Sequence, residues 1–498
     1  MSDQSVRLSY AFAKERGVVL FNGGAGAQLG VRRGSDPFAI LEARRVSGPV
    51  SGVETLAPEA YDRVLSEVYA NDGMDASEID DVLGEDGDLD SLAAGLTENA
   101  DLLDSSDDAP IIRFINGVIA EAVRTKASDV HIEPFEDRLS VRLRIDGMMR
   151  EVLSPSRRVA PLLVSRIKVM ARLDIAEKRV PQDGRVSLSL GGRAIDVRIS
   201  TLPSRYGERV VMRLLDKEQA RLDLDDLGMP ADMLERFKDA LKQPNGIILV
   251  TGPTGSGKTT TLYGALTLLN DQSRNILTVE DPIEYGLDGV GQTQVNTKVG
   301  MTFATGLRAI LRQDPDIVMV GEIRDAETAQ IAVQASLTGH LVLSTVHTNS
   351  AAAAVTRLRD MGVEPFLLSS TLTAIVAQRL VRRLCPACRT PYEPDARETA
   401  ALGLEHKPGL IFYRATGCDA CGGLGYSGRL GVYELIVMDA KLRSMVHDDA
   451  REQDMESHAF ANTASLLASG AQHVIAGLSS SEEVLRVARQ AGDGDGGV

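Results

Sequence analysis

Tryptophan is absent from this 498-residue chain, and aromatic residues make up only 4% of it. Whatever core it forms must therefore be aliphatic. Long apolar runs are missing too. None approaches the roughly 18 residues that a membrane-crossing helix needs, so membrane contact is expected only through a partner or an interfacial surface. Met1 to Leu20 is broken by Arg7, Lys14, Glu15 and Arg16, unlike a secretory signal, and the cytoplasm is the expected location. Positive charge is scarce: the net charge is −16. Phosphate-backbone recognition requires clustered Lys and Arg, so a dedicated nucleic-acid binder is disfavoured. Cysteine is scarce as well, with four residues in two pairs, Cys385/Cys388 and Cys418/Cys421. In a cytosolic chain that pattern reads as metal binding before disulfides.

The remainder is ordinary globular composition, 43% hydrophobic and 25% charged, with length for roughly three domains. Residues 1–70 form a small module without a chemical motif. Tyr61, Val64, Leu65 and Val68 fall on one helical stripe there, and a partner-docking role is expected. From Arg63 to Arg113 no Lys or Arg intervenes, while Asp80, Asp81, Glu85, Asp86, Asp88 and Asp90 accumulate among glycines. Residues 71–109 therefore read as a solvated acidic linker, with Leu89, Leu92 and Leu96 able to form a brief helix.

Residues 110–222 begin with helical spacing from Ile111 to Val123. Period-two runs follow at Leu139–Ile145, Val186–Leu190 and Ile195–Ile199, with Asp183-Gly184 and Gly191-Gly192 as expected turns. An α+β domain with an antiparallel sheet is predicted. It is rich in arginine (Arg142, Arg144, Arg185, Arg193, Arg198, Arg205, Arg209, Arg213), most of which should serve local ion pairs. From residue 230 onward, short fully apolar runs at Ile247–Val250, Ile276–Val279, Ile317–Val320 and Leu341–Val346 alternate with helical segments. That is the pattern of parallel strands buried on both faces, hence an α/β domain over 230–498.

The chemistry concentrates in this last region. Gly252-Pro253-Thr254-Gly255-Ser256-Gly257-Lys258-Thr259 matches G-x-x-x-x-G-K-[ST]. It follows the predicted strand Ile247–Thr251 and opens a predicted helix from Thr260 to Asn270. The glycines let backbone amides curl around phosphates, Lys258 should reach the β and γ phosphates of ATP, and the Thr259 hydroxyl should ligate Mg²⁺. Glu280 and Glu284 follow the next strand, where a carboxylate can orient or deprotonate water; the plainer reading is an Asp-Pro turn with surface acids. Glu322 ends a third strand as a Walker B-type acid and a second Mg²⁺ contact. Asp316, before that strand, is assigned to a cap or turn. His347 ends a fourth strand beside Thr348 and Asn349, placed to sense a γ-phosphate. His340, before the strand, reads as structural. The four cysteines, as two C-x₂-C knuckles 29 residues apart, suit one closed, structural Zn²⁺ site.

Further strings accompany these elements: Ser128-Asp-Val-His131-Ile-Glu133-Pro134, Pro181-Gln-Asp-Gly184-Arg185, Gly207-Glu-Arg209-Val-Val-Met-Arg213, Leu311-Arg-Gln-Asp-Pro-Asp316, Gln378-Arg-Leu-Val-Arg-Arg-Leu-Cys385-Pro-Ala-Cys388 and Gly428-Arg-Leu-Gly-Val-Tyr-Glu434. In this order, over roughly residues 110–490, they resemble the secretion ATPases of the GspE family, within the type II secretion and type IV pilus motors. The resemblance implies an α/β fold: a RecA-like P-loop ATPase domain, a smaller α+β sheet domain before it, a Cys₄ zinc insertion (380–435) and a small N-terminal docking module. It implies a homohexamer with nucleotide between the two domains and arginines of the smaller domain approaching the phosphates. Arg209 is the best carry-over by motif position, with Arg205 and Arg185 weaker, although Arg209 could instead pair with Glu208 or another local acid. It further implies action at the cytoplasmic face of the bacterial inner membrane, docking on the cytoplasmic domain of a GspL-type protein and on a GspF-type platform protein, and pseudopilus assembly. A type IV pilus assembly ATPase shares nearly every motif. A hexameric helicase would share the ATPase core but lacks support in the charge. A non-hydrolysing nucleotide scaffold is disfavoured by the intact acidic motifs.

Overall fold

The computed structural model describes residues 8, 12–13, 16–23, 26–69, 109–190, 193–216, 223–461 and 463–492. The expected linker, and the Gly191-Gly192 turn, lie outside the described residues. The chain divides into two compact units, Met1–Gln219 and Ala220–Val498.

The first unit opens with β1 (Val18–Gly23), β2 (Gly26–Arg32), α1 (Pro37–Ser47), β3 (Gly52–Leu56) and α2 (Pro58–Tyr69). β1 and β2 pair antiparallel, and α1 carries the chain across to a parallel β3. On α2, Tyr61 and Leu65 of the predicted stripe are buried. α3 (Ala109–Arg124) follows, then β4 (Asp129–Pro134), β5 (Leu139–Ile145), β6 (Met148–Leu153), α4 (Ala160–Met170), β7 (Gln182–Leu190), β8 (Arg193–Ser204) and β9 (Gly207–Asp216). These strands form one antiparallel sheet in the order β6-β5-β4-β9-β8-β7. Alternation places Val130 and Ile132 in the core with Phe114, Ile119, Leu163 and Ile167 of the two helices. Tyr61 and Leu65 share a second cluster with Val169 and Ile175, so the N-terminal module packs on the sheet domain rather than being tied to it by chain alone.

One expected turn is corrected. Asp183-Gly184 lies inside β7. Gly184 is needed there for space: a Cβ would sit 2.6 Å from the Ala171 carbonyl oxygen.

The second unit contains α5 (Ala231–Leu241), β10 (Gly246–Thr251), α6 (Lys258–Leu269), β11 (Ile276–Glu280), β12 (Gly291–Gln294), β13 (Ile317–Val320), α7 (Ala326–Leu337), β14 (Leu341–Val346), α8 (Ala351–Asp360), β15 (Leu372–Leu384), β16 (Thr390–Tyr392), β17 (Phe412–Arg414), β18 (Tyr426–Val437), α9 (Leu466–Ile475) and α10 (Ser481–Gly492), among shorter helices. The sheet runs β12-β11-β13-β14-β10-β15-β18, parallel except for β18 at one edge. All six residues of β10 and of β14 are buried, because aliphatic clusters cover both faces. The α/β fold expected from the apolar runs is the one observed.

The bounds of the zinc insertion are also corrected. Residues 380–384 and 426–435 belong to β15 and β18, whose Leu384 and Tyr426 are cross-strand partners. The excursion between them is 385–425, because Val381, Leu384, Val432 and Leu435 are core residues of the sheet.

Candidate functional site

A parallel sheet leaves its strand carboxyl ends open for ligands, and here four of those ends carry the predicted residues. β10 runs into Gly252, whose φ is +146°; a Cβ there would lie 2.4 Å from the Gln378 carbonyl oxygen and 2.6 Å from Ser256 Oγ, so only glycine fits. The loop returns into α6, with Gly257 left-handed at its cap. Gln378 of β15 fastens this loop: its Nε2 donates to the Ser256 carbonyl at 2.7 Å, and its Oε1 accepts from Thr261 at 2.7 Å. The Thr251 hydroxyl donates to the Val346 carbonyl at 3.0 Å and accepts the Thr348 amide at 3.0 Å, tying the loop to the His347 segment.

Lys258 is buried, and its Nζ donates to the Gly252 carbonyl at 2.8 Å and the Pro253 carbonyl at 3.2 Å. Burial pulls its ammonium down to about 8, with Glu322 opposing and Arg379 adding to the fall. Thr259, next in line, is exposed at the first turn of α6. Glu322 follows β13 on a segment held by β14: Ile323 N donates to the Thr345 carbonyl at 2.9 Å, and Thr345 Oγ1 to the Gly321 carbonyl at 2.8 Å. Its carboxylate pairs with Arg324 and lies 3.5 Å from His347 Nε2. His347 has its pKa lowered, first by burial and then by Lys258. Lys258, Glu322 and His347 are thus brought together.

The acidic segment after β11 divides its two glutamates. Glu280 is buried and accepts from Tyr263, from Thr278 Oγ1 at 2.6 Å and from Gln292 Nε2 at 3.0 Å. Glu284 is half-buried, with its amide on the Tyr263 hydroxyl at 3.3 Å. Asp316 accepts the Asn275 amide at 2.7 Å before β13, and His340 Nδ1 sits 2.8 Å from the Ala335 carbonyl.

In the first unit, Arg209 Nη2 contacts Glu133 Oε1 at 2.8 Å and His131 Nδ1 at 3.1 Å. Its acid is therefore Glu133 and not Glu208. Glu208 projects to the other face of β9 and pairs with the buried Lys168. Arg142 likewise pairs with Glu133, and Arg144 and Arg213 with Asp129. Arg205 stands over the Tyr206 ring, 5.2 Å from its centroid.

The four cysteine sulfurs lie within 4.8 Å of one another. Cys385–Cys418 are 3.9 Å apart, Cys388–Cys421 3.8 Å and Cys418–Cys421 3.8 Å. A tetrahedral ion with ~2.3 Å metal–sulfur bonds requires edges of about 3.8 Å, so the donor set fits Zn²⁺. Burial pushes the Cys421 thiol up, but amides of Cys418 and Gly425 aimed at its sulfur outweigh this and bring it to about 7.

Residues 104–486 match the family described as "Type II/IV secretion system protein", and residues 7–69 match a family described as an N-terminal domain of "GSPII protein E". The "Type II secretion system ATPase E" of Vibrio cholerae is 58% identical, covering 91% of this chain and 90% of its own. The chain belongs to the GspE family of type II secretion ATPases. The "Type II secretion system protein E" of Pseudomonas aeruginosa is 56% identical over 97% of this chain and 96% of its own. Among solved structures, the pilus retraction motor PilT with bound ADP aligns with a TM-score of 0.51 at 27% identity, over 74% of this chain and 95% of that one. The Legionella pneumophila ATPase DotB aligns with a TM-score of 0.57 at 20% identity, over 76% of this chain and 95% of that one, a likeness of fold. Among the described residues no helix is long and apolar enough to cross a membrane.

Sequence reasoning gave no role to Tyr263, Gln378, Arg379 or Glu434. Gln378, Arg379 and Glu434 stood inside quoted strings, and that was their only signal. Arg379 is buried, with Nη2 on the Asn349 carbonyl at 3.0 Å and on Asn349 Oδ1 at 3.1 Å, beside the His347 segment.

Proposed function

We propose that this GspE-family ATPase converts ATP and water to ADP and phosphate through the residues at the carboxyl edge of its parallel sheet, and couples that turnover to pseudopilus assembly in type II secretion. The convergence of Lys258, Glu322 and His347 beside the glycine loop carries the reading. The amides of Gly252–Thr260 would cradle the phosphates, with Lys258 as a point charge on the β and γ oxygens. Thr259 and Glu322 offer the hydroxyl and carboxylate oxygens that suit Mg²⁺, which neutralises phosphate charge when bound. Glu284 would orient the attacking water, since the Glu280 oxygens are already occupied by donors within the fold. His347, 3.5 Å from Glu322, would report the γ-phosphate. The four cysteines would hold one structural Zn²⁺. The chain would act as a homohexamer at the cytoplasmic face of the inner membrane, with GspL-type and GspF-type proteins as partners.

The test is ATP turnover by the full-length chain and restoration of protein export in a type II secretion mutant. Lys258→Ala should abolish both. Glu284→Gln should bind ATP and fail to turn it over; near-normal turnover would remove the water-orienting role from Glu284. Export restored by Lys258→Ala would sink the coupling of ATP turnover to secretion.

A further inference from the structure

Tyr263 lies on the P-loop helix α6, five residues past Lys258, and belongs to none of the chemical motifs. It is fully buried, and its hydroxyl is a junction. It donates to Glu280, and it accepts from the Glu284 amide at 3.3 Å and from Gln292 Nε2 at 3.3 Å. Gln292 secures the same loop from β12: Nε2 reaches the Tyr285 carbonyl at 3.2 Å, and Oε1 accepts the Leu287 amide at 2.7 Å. The Tyr285 ring stands edge-on to Tyr263, centroids 4.6 Å apart. Burial, and then the bond to Glu280, push the Tyr263 phenol far above its ordinary pKa, so it remains a donor at any working pH.

We propose that Tyr263 is a positioning residue for hydrolysis. It suspends the Glu280–Tyr285 loop, and Glu284 with it, from the helix whose first residue is Lys258. Glu280 is the anchor of that suspension. The phosphate-binding amine and the water-orienting carboxylate are then held in one frame, and a shift of α6 on nucleotide exchange carries Glu284 along. The proposal rests on the role of Glu284 given above.

Tyr263→Phe removes one oxygen and keeps the ring contact. Displacing a reacting group by ~1 Å can cost about 100-fold. In the full-length chain, kcat should fall at least about tenfold while KM for ATP stays within about twofold, and the affinity for a fluorescent ATP analogue should be unchanged. Residual hydrolysis in the Glu284→Gln background, followed with γ-phosphate-labelled ATP, should show no further loss when Tyr263→Phe is added, because a residue acting only through Glu284 has nothing left to position. Equal losses in both backgrounds, a kcat within twofold of wild type, or ATP affinity falling in step with kcat would overturn the proposal. Gln292→Ala cuts the same loop bonds from the half-buried side. It should give the same pattern more weakly, which keeps the test decisive if Tyr263→Phe folds poorly. If Glu284→Gln itself retains turnover, the underlying reading fails. If Glu284→Gln is dead and both Tyr263→Phe and Gln292→Ala are normal, only this proposal fails.

Discussion

Glu434 should make this ATPase less stable as pH rises toward 8, and Glu434→Gln should remove that dependence. The carboxyl group is 3% exposed on β18, and it accepts the Ala351 amide at the start of α8 at 2.8 Å and the Leu466 amide at the start of α9 at 3.3 Å. Burial raises its pKa from 4.5 to about 7, against the pull of those two amides. A carboxyl whose folded pKa lies above its unfolded value binds more protons in the folded state. Its contribution is therefore fully present below pH 4.5 and is lost as pH rises through about 7. A shift of this size corresponds to about 3 kcal/mol over the whole window, of which about 1 kcal/mol falls between pH 6 and pH 8. Glutamine stays neutral throughout and mimics the protonated acid. Its constant cost or gain cancels when the two proteins are compared at two pH values. The difference in unfolding free energy, variant minus wild type, should move by about 1 kcal/mol in favour of Glu434→Gln from pH 6 to pH 8, or roughly 2–4 °C in melting temperature. Denaturant titrations of both proteins at each pH measure it. A difference that stays flat, or moves toward wild type, would show that the ionised carboxylate is held by the two helix starts and Arg379 well enough to offset its burial.

The depressed Lys258 ammonium should make ATP affinity fall above pH 8, approaching tenfold per unit while bound phosphate keeps the lysine protonated; titration with a fluorescent ATP analogue reads this, and a flat profile to pH 9 would refute it. Glu322→Gln should weaken Mg²⁺-dependent turnover more than metal-free nucleotide binding, visible as a raised Mg²⁺ requirement. Replacing Cys385, Cys388, Cys418 or Cys421 by Ser should release about one Zn²⁺ per chain and loosen 385–425 while the P-loop sheet stays folded. Metal analysis with hydrogen exchange checks both parts, and zinc-free wild-type protein prepared without chelator would count against the site.

The parallel strands were legible because a strand buried on both faces must be apolar throughout, and the cysteine site because its ligands come in fixed spacings. Asp183-Gly184 misled because turn chemistry is local, whereas the glycine answers to a carbonyl from Ala171 that only the folded chain brings near. Tyr263, Gln378 and Glu434 escaped for a related reason. Each is a single polar residue in an apolar pattern, and its partners, such as Ser256 for Gln378, lie up to 122 residues away. Arg209 shows the same limit: its neighbour in sequence, Glu208, points to the opposite face, and its acid comes from β4.

Leu384 and Tyr426 face each other across the β15–β18 pair. Cross-strand partners have Cα atoms about 5 Å apart, a gap that a two-residue hairpin turn spans. The cysteine-bearing excursion is therefore a pendant on a hairpin tip: its length is unconstrained by the sheet, and an Asn-Gly linker in place of 385–425 would leave every strand in register. Chains of this architecture can gain, lengthen or discard that appendage while the strand carrying Gln378 and Arg379 to the phosphate loop keeps its place.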